Sequence, residues 1–159
     1  MLLLGASSGS WAQQNAGIDQ LTSFHTFEFG STPGSLPGKL TLDLTISYGF
    51  NYYKYDHKDL RVLYGNKIFD INLGYRDDLL EYVDFYFQRL NQAEFDNMRV
   101  DLVKQYGDFI VIDAAEPGVE EAVSWEGSVV TISLYRFGNE AIDLLDRNKT
   151  VLAATKHIQ

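Results

Sequence analysis

The chain has 159 residues, 45% hydrophobic and 14% aromatic, with a formal net charge of −9 and no cysteine. That length supports one compact domain with a real core. The acidic balance argues against nucleic acid, whose phosphates need a basic patch, and the missing cysteines exclude disulfides, thiolate catalysis and cysteine-based zinc sites.

From the start, Met1-Leu-Leu-Leu-Gly-Ala-Ser-Ser-Gly-Ser-Trp-Ala resembles the tail of a secretory signal. A short apolar segment is followed by small residues, and Ser10-Trp11-Ala12 matches a small-x-small cleavage pattern. Export to the periplasm or the extracellular space, with cleavage after Ala12, is the expectation. Residues 1–23 read as leader and linker, and residues 24–159 as one domain. No apolar run reaches the ~18 residues that a membrane-spanning helix requires.

Thr26 to Phe29 is a short alternating strand closed by Gly30. Ser31 to Gly38 is rich in proline and glycine and reads as a loop. Leu40, Leu42, Leu44 and Ile46 alternate with polar residues, which predicts a half-buried strand. The aromatic stretch from Tyr48 to Tyr55 reads as loop or strand. Leu60 to Tyr64 suits another short strand. Lys67 to Tyr75 is a strand with Phe69, Ile71 and Leu73 on its core side. Arg76-Asp77-Asp78 turns the chain into a strand over Leu79 to Arg89, with Leu79, Val83, Phe85 and Phe87 on the core side.

Helix signals follow. Asn91 suits an N-cap and Glu94 completes a capping box. Phe95, Met98, Leu102, Val103 and Tyr106 recur at helical spacing, and Gly107 stops the pattern. The spacing predicts a helix over 92–106 packed on one face of a sheet. Short strands follow at Phe109 to Asp113, Ala122 to Glu126 and Ser128 to Phe137. Trp125 shares parity with Val123, which predicts burial. Gly138-Asn139 is a hairpin signal, sending a further strand through Glu140 to Asp146. The tail from Lys149 to Ile158 reads as helix or strand, and Val151, Ala154 and Ile158 favour the helix. Strands dominate and hairpins connect them. The fold class is therefore α+β: an antiparallel meander, one strong helix and a C-terminal helix.

No phosphate loop, nucleophile elbow or metal-ligand spacing is present. His25, His57 and His157 lie far apart and read as incidental surface residues. No cofactor, metal ligand or catalytic residue is assigned. The carboxylates and tyrosines of the strands remain. Residues opposite the core stripe include Ile68, Asp70 and Asn72 on one strand and Leu80, Tyr82, Asp84, Tyr86 and Gln88 on the next. Thr131, Ser133 and Tyr135 take that position on a third. If these strands share a sheet, one face carries Asp70, Asn72, Tyr82, Asp84, Tyr86, Thr131, Ser133 and Tyr135. Flat rings beside amide and carboxylate groups suit a glycan or a protein partner.

The order of Phe27-Glu28-Phe29-Gly30, a hairpin into a helix ending LVKQYGD (Leu102 to Asp108), and VSWEGSVVTISL (Val123 to Leu134) resembles a group of small exported bacterial domains. These are the domains similar to β-lactamase-inhibitor protein and to the outer-membrane-assembly lipoproteins. The resemblance implies helix plus antiparallel sheet, and a non-catalytic interaction module. The chain departs from it in the Pro/Gly-rich stretch after Gly30 and in having no lipobox cysteine. The expected function is recognition of a protein or glycan through the polar-aromatic face. The alternatives are glycan hydrolysis by carboxylates such as Asp70 and Asp84, or a structural role in the cell envelope.

Overall fold

The computed structural model describes residues 17–46, 49–56, 58–113, 117–141 and 146–157. The leader-like pattern and its cleavage point, Tyr48 and His57 lie outside the described residues. A small hairpin pairs β1 (Ser23–Phe24) with β2 (Phe27–Glu28). Then come β3 (Lys39–Ile46), β4 (Phe50–Asp56), β5 (Val62–Leu63), β6 (Asn66–Arg76) and β7 (Leu79–Gln88). Helix α1 (Gln92–Tyr106) precedes β8 (Ile110–Val111), β9 (Val119–Glu126), β10 (Val130–Phe137) and β11 (Lys149–Lys156).

β3 to β11 form one nine-stranded antiparallel sheet in the order β3-β4-β6-β7-β11-β10-β9-β8, with β5 paired to β6. The architecture is broadly α+β, mostly antiparallel sheet with one helix. The aromatic stretch after Gly49 is strand β4, between β3 and β6.

The C-terminal helix expected over the tail is replaced by β11. This last strand lies inside the sheet, between β7 and β10. Its central run, Thr150 to Ala154, is apolar or β-branched, with Thr150, Leu152 and Ala154 fully buried. Such a run suits strand or helix locally, and two neighbouring strands with open hydrogen-bonding edges decide it. The strand expected from Glu140 to Asp146 is absent among the described residues, which show turns at both ends of that stretch. Residues 142–145 lie outside the description.

Helix α1 has the expected bounds and caps. The Asn91 side chain accepts from the Glu94 amide at 3.0 Å, and the Glu94 carboxylate accepts from the Asn91 amide at 2.9 Å. Gly107 ends it with φ at 88°, the left-handed region where a side chain is disfavoured. Phe95, Met98 and Leu102 are fully buried and share a core with Phe85, Phe87, Trp125 and Ile132. The Trp125 indole donates to the Gly107 carbonyl at 2.9 Å, which ties β9 to the helix terminus.

Three bulges correct the alternation read from sequence. In β6, Ile68 pairs with Phe87 and Asp70 with Tyr86, so Phe69 is the extra residue. Ile68 therefore joins the core, 6% exposed, and Phe69 turns out to 58%. In β7, Leu80 pairs with Tyr75 and Tyr82 with Gly74, so Glu81 is extra. Leu80 becomes fully buried while Leu79 is exposed. Glu81, which would have fallen on the core side, instead pairs with Arg76 at 3.0 Å. In β3, the bulge at Asp43 leaves Leu42 and Leu44 exposed, so this edge strand is not the half-buried one expected. Bulges at sheet edges disrupt templated pairing.

Candidate functional site

The register places all eight candidate residues on the sheet face opposite the main core. Directly paired residues share a face, and three successive rows cross the strands. The first runs Tyr52, Gly74, Tyr82, Thr155, Thr131. The second runs Lys54, Asn72, Asp84, Ala153, Ser133, Ser124. The third runs Asp70, Tyr86, Val151, Tyr135, Ala122.

These rows do not form one open surface. In the first, Tyr82 packs edge-on against Phe50 at 5.1 Å between ring centroids and tilts toward Tyr52 at 6.5 Å. The three side chains close over Gly74, where an added Cβ would lie 3.0 Å from the Phe50 and Tyr52 rings and from the Tyr82 Cβ. Gly74 thus makes room for an aromatic cover, and Tyr82 is structural. Gly74→Ala is expected to cost about 1–2 kcal/mol through this overpacking, read from urea denaturation; an unchanged midpoint would mean that the rings do not meet there. Thr131 lies near the sheet's other flank, its hydroxyl 2.7 Å from the His157 ring nitrogen. Ser133 and Asn72 are buried. Asp70 is held by Lys54 at 3.2 Å.

Asp84, Tyr86 and Tyr135 belong to a different environment. With Val151, Ala153 and Ala122 they floor a groove of about 410 Å³. Its walls are Ile112 and Asp113 after β8, Val119 and Phe137 at strand ends, and Asp146 before β11. Small residues on β9 and β11 leave the depth, and rings on β7 and β10 flank it. The Tyr135 and Phe137 rings stack at 5.7 Å with an interplanar angle of 29°.

The wall carrying Asp146 is held close by backbone contacts. Gly118, with φ at 87°, lies so near Ala141 that a Cβ would collide with its backbone. The Gly138 amide donates to the Gly118 carbonyl at 2.8 Å, and Arg147 Nε donates to the Ala141 carbonyl at 2.8 Å. Only glycine combines that φ with such an approach.

Among the described residues no lysine, arginine or histidine lines the groove, while three aspartates do. Burial first, and the Asp146 charge second, push the Asp84 carboxyl up from 3.8 to about 7. Asp84 is half-buried as a residue, and its carboxyl hydrogen-bonds to no group among the described residues. Near neutrality it is therefore part protonated, able to donate as well as accept. Among the described residues, no three His, Asp or Glu side chains come together as a metal site.

Asp113, Asp146 and Phe137 were missed by the strand alternation. The two aspartates sit on connections, where period two says nothing. Phe137 was reachable by continuing the Thr131, Ser133, Tyr135 alternation one step. No helix among the described residues is long and apolar enough to cross a membrane. The fold and groove define an antiparallel α+β domain with an acidic, aromatic groove on the outer sheet face. Comparison with known proteins finds no matching family model, no matching curated protein and no matching solved structure.

Proposed function

We propose that the chain is an exported, non-catalytic binding module that takes a glycan unit, or a sugar-sized group of a protein partner, into the Asp84 groove. The observation that carries this reading is the lining: Tyr86, Tyr135 and Phe137 beside Asp84, Asp113 and Asp146, with no lysine, arginine or histidine among the described residues that line it. Rings offer flat area to the apolar face of a sugar, and carboxylates accept from its hydroxyls. The volume fits the lower range of small-ligand sites, roughly 300–1,000 Å³. The leader-like residues 1–12 support export, and the motif order resembling exported interaction domains supports recognition over catalysis.

Hydrolysis of a glycan is the second reading, favoured by one observation. Asp84 holds its proton to about pH 7 beside the second carboxylate of Asp146, a pairing that suits a general acid. Asp146 takes the place expected of Asp70, which Lys54 engages instead.

An array of neutral and amino-sugar oligosaccharides tests the proposal. Wild type is expected to retain at least one sugar. Tyr135→Ala is expected to weaken it by about tenfold, the scale of one lost stacking contact. Retention of none would favour a structural envelope role. Release of new reducing ends from the retained sugar, lost in Asp84→Asn, would favour hydrolysis.

A further inference from the structure

Phe69 lies outside the core that its place in the strand predicts. Simple alternation would bury it with Ile71 and Leu73, yet the β6 bulge gives that place to Ile68 and turns the ring outward. Bulges commonly re-aim a side chain at a site. Lys149 Nζ lies over the ring, 4.3 Å from its centroid. Beside Phe69 runs an open groove of about 470 Å³ lined by Arg61, Lys67, Ile68 and Gln88.

The charge of this groove is opposite to that of the chain. Two cations and an amide line it and no carboxylate does among the described residues, on a protein of net charge −9. Lys67 forms no ion pair among the described residues. Arg61 pairs with Asp56 at 2.9 Å, but both side chains are more than half exposed, and such a pair contributes little and exchanges readily. A small neighbouring pocket is lined by Phe69, Asp70, Asn72, Tyr86 and Lys149, and the buried Asn72 Oδ1 accepts no hydrogen bond among the described residues; Asp70 is engaged by Lys54 at 3.2 Å. Tyr86 lines both this pocket and the Asp84 groove, so the two regions adjoin on one face.

We propose that Phe69, Lys67 and Arg61 form a second site, for a carboxylate-bearing sugar such as a uronate. The sugar's C–H face lies on the exposed ring, its carboxylate meets Lys67 and Arg61, and a hydroxyl meets the Gln88 amide. An anion with a flat apolar face satisfies every group in the groove. A peptide interface needs a contiguous apolar centre, and here a single ring stands among polar groups.

This site adjoins the Asp84 groove but shares no lining residue with it, and its test keeps the two separate. Binding is measured to polygalacturonate, to neutral galactan and to polyglutamate, in about 0.15 M salt where exposed charges are screened beyond about 8 Å. Wild type is expected to bind polygalacturonate and neither of the others. Phe69→Ala and Lys67→Ala are each expected to weaken binding by about tenfold, while Lys104→Ala, an exposed helix residue that lines neither groove, leaves it unchanged. Both substituted side chains are exposed or partnerless, so the variants keep the fold, checked by circular dichroism. No binding to polygalacturonate, equal binding by Phe69→Ala, or equally tight binding of polyglutamate would each overturn the proposal; the last would point to an acidic peptide.

Discussion

Trp125→Ala is expected to cost about 3–5 kcal/mol, the cost of truncating a buried large aromatic. Trp125 is 1% exposed and pairs across the sheet with fully buried Ile132. It shares the core with Met98 and Leu102 of the helix, and its indole satisfies the Gly107 carbonyl at the helix terminus. Removal leaves a cavity among these side chains and takes away that donor. Domains of this size are stable by roughly 5–15 kcal/mol, so the loss is a large share. Trp125→Phe keeps most of the apolar volume and loses the hydrogen bond, at about 1–3 kcal/mol. Urea denaturation of both variants checks the pair. A loss below about 1 kcal/mol for Trp125→Ala would contradict the joint core of helix and sheet; if that variant fails to fold, the phenylalanine variant carries the comparison.

The second large effect concerns Asp84 and pH. Its carboxyl ionises at its ordinary value of 3.8 in the unfolded chain and near 7 in the folded one. Between those values the folded state holds a proton that the unfolded state has released. Stability therefore falls as pH rises from about 4 to about 7 and levels off above. Because the groove opens to solvent, the fall is expected to be on the order of 1–3 kcal/mol, less than full burial would give. Asp84→Asn mimics the neutral acid at every pH. It is expected to flatten this slope and to be more stable than wild type at pH 8, measured by urea denaturation at pH 5 and pH 8. A wild-type slope that survives unchanged in Asp84→Asn would show that another group is responsible.

The opposition between these residues explains what could be read in advance. Trp125 and the helix from Gln92 to Tyr106 announce themselves locally, through parity with Val123, a capping box and a stop at Gly107. The outer face was also legible, because Asp84, Tyr86 and Tyr135 alternate with core residues on strands that pair in register. What escaped is long-range. Phe69 and Glu81 obey alternation within their own strands, and only the pairing of β6 with β7 shows that each is an extra residue. The β11 run from Thr150 to Ala154 has no local preference, and its neighbours on both sides make it a strand. Asp113 and Asp146 reach the groove from connections. The close approach of residues 138–141 to Gly118 is likewise encoded by no periodicity.

The same comparison separates packing from recognition on the outer face. Tyr82 is accounted for by Phe50, Tyr52 and Gly74. Asp70 is accounted for by Lys54, and Thr131 by His157. Asp84 is not accounted for in this way: burying a carboxyl beside another costs stability, and no hydrogen bond or ion pair among the described residues offsets it. A group that lowers stability and faces a groove is a candidate for function.

The central claim is that a ligand occupies the Asp84 groove. Chemical-shift mapping of the isotope-labelled chain, titrated with the sugar that the array retains, tests it most directly. The account predicts shifts concentrated at Asp84, Tyr86, Ala122, Tyr135 and Ala153, with Tyr82 and Thr131 little moved. Shifts clustered elsewhere, or spread evenly over the sheet, would contradict it.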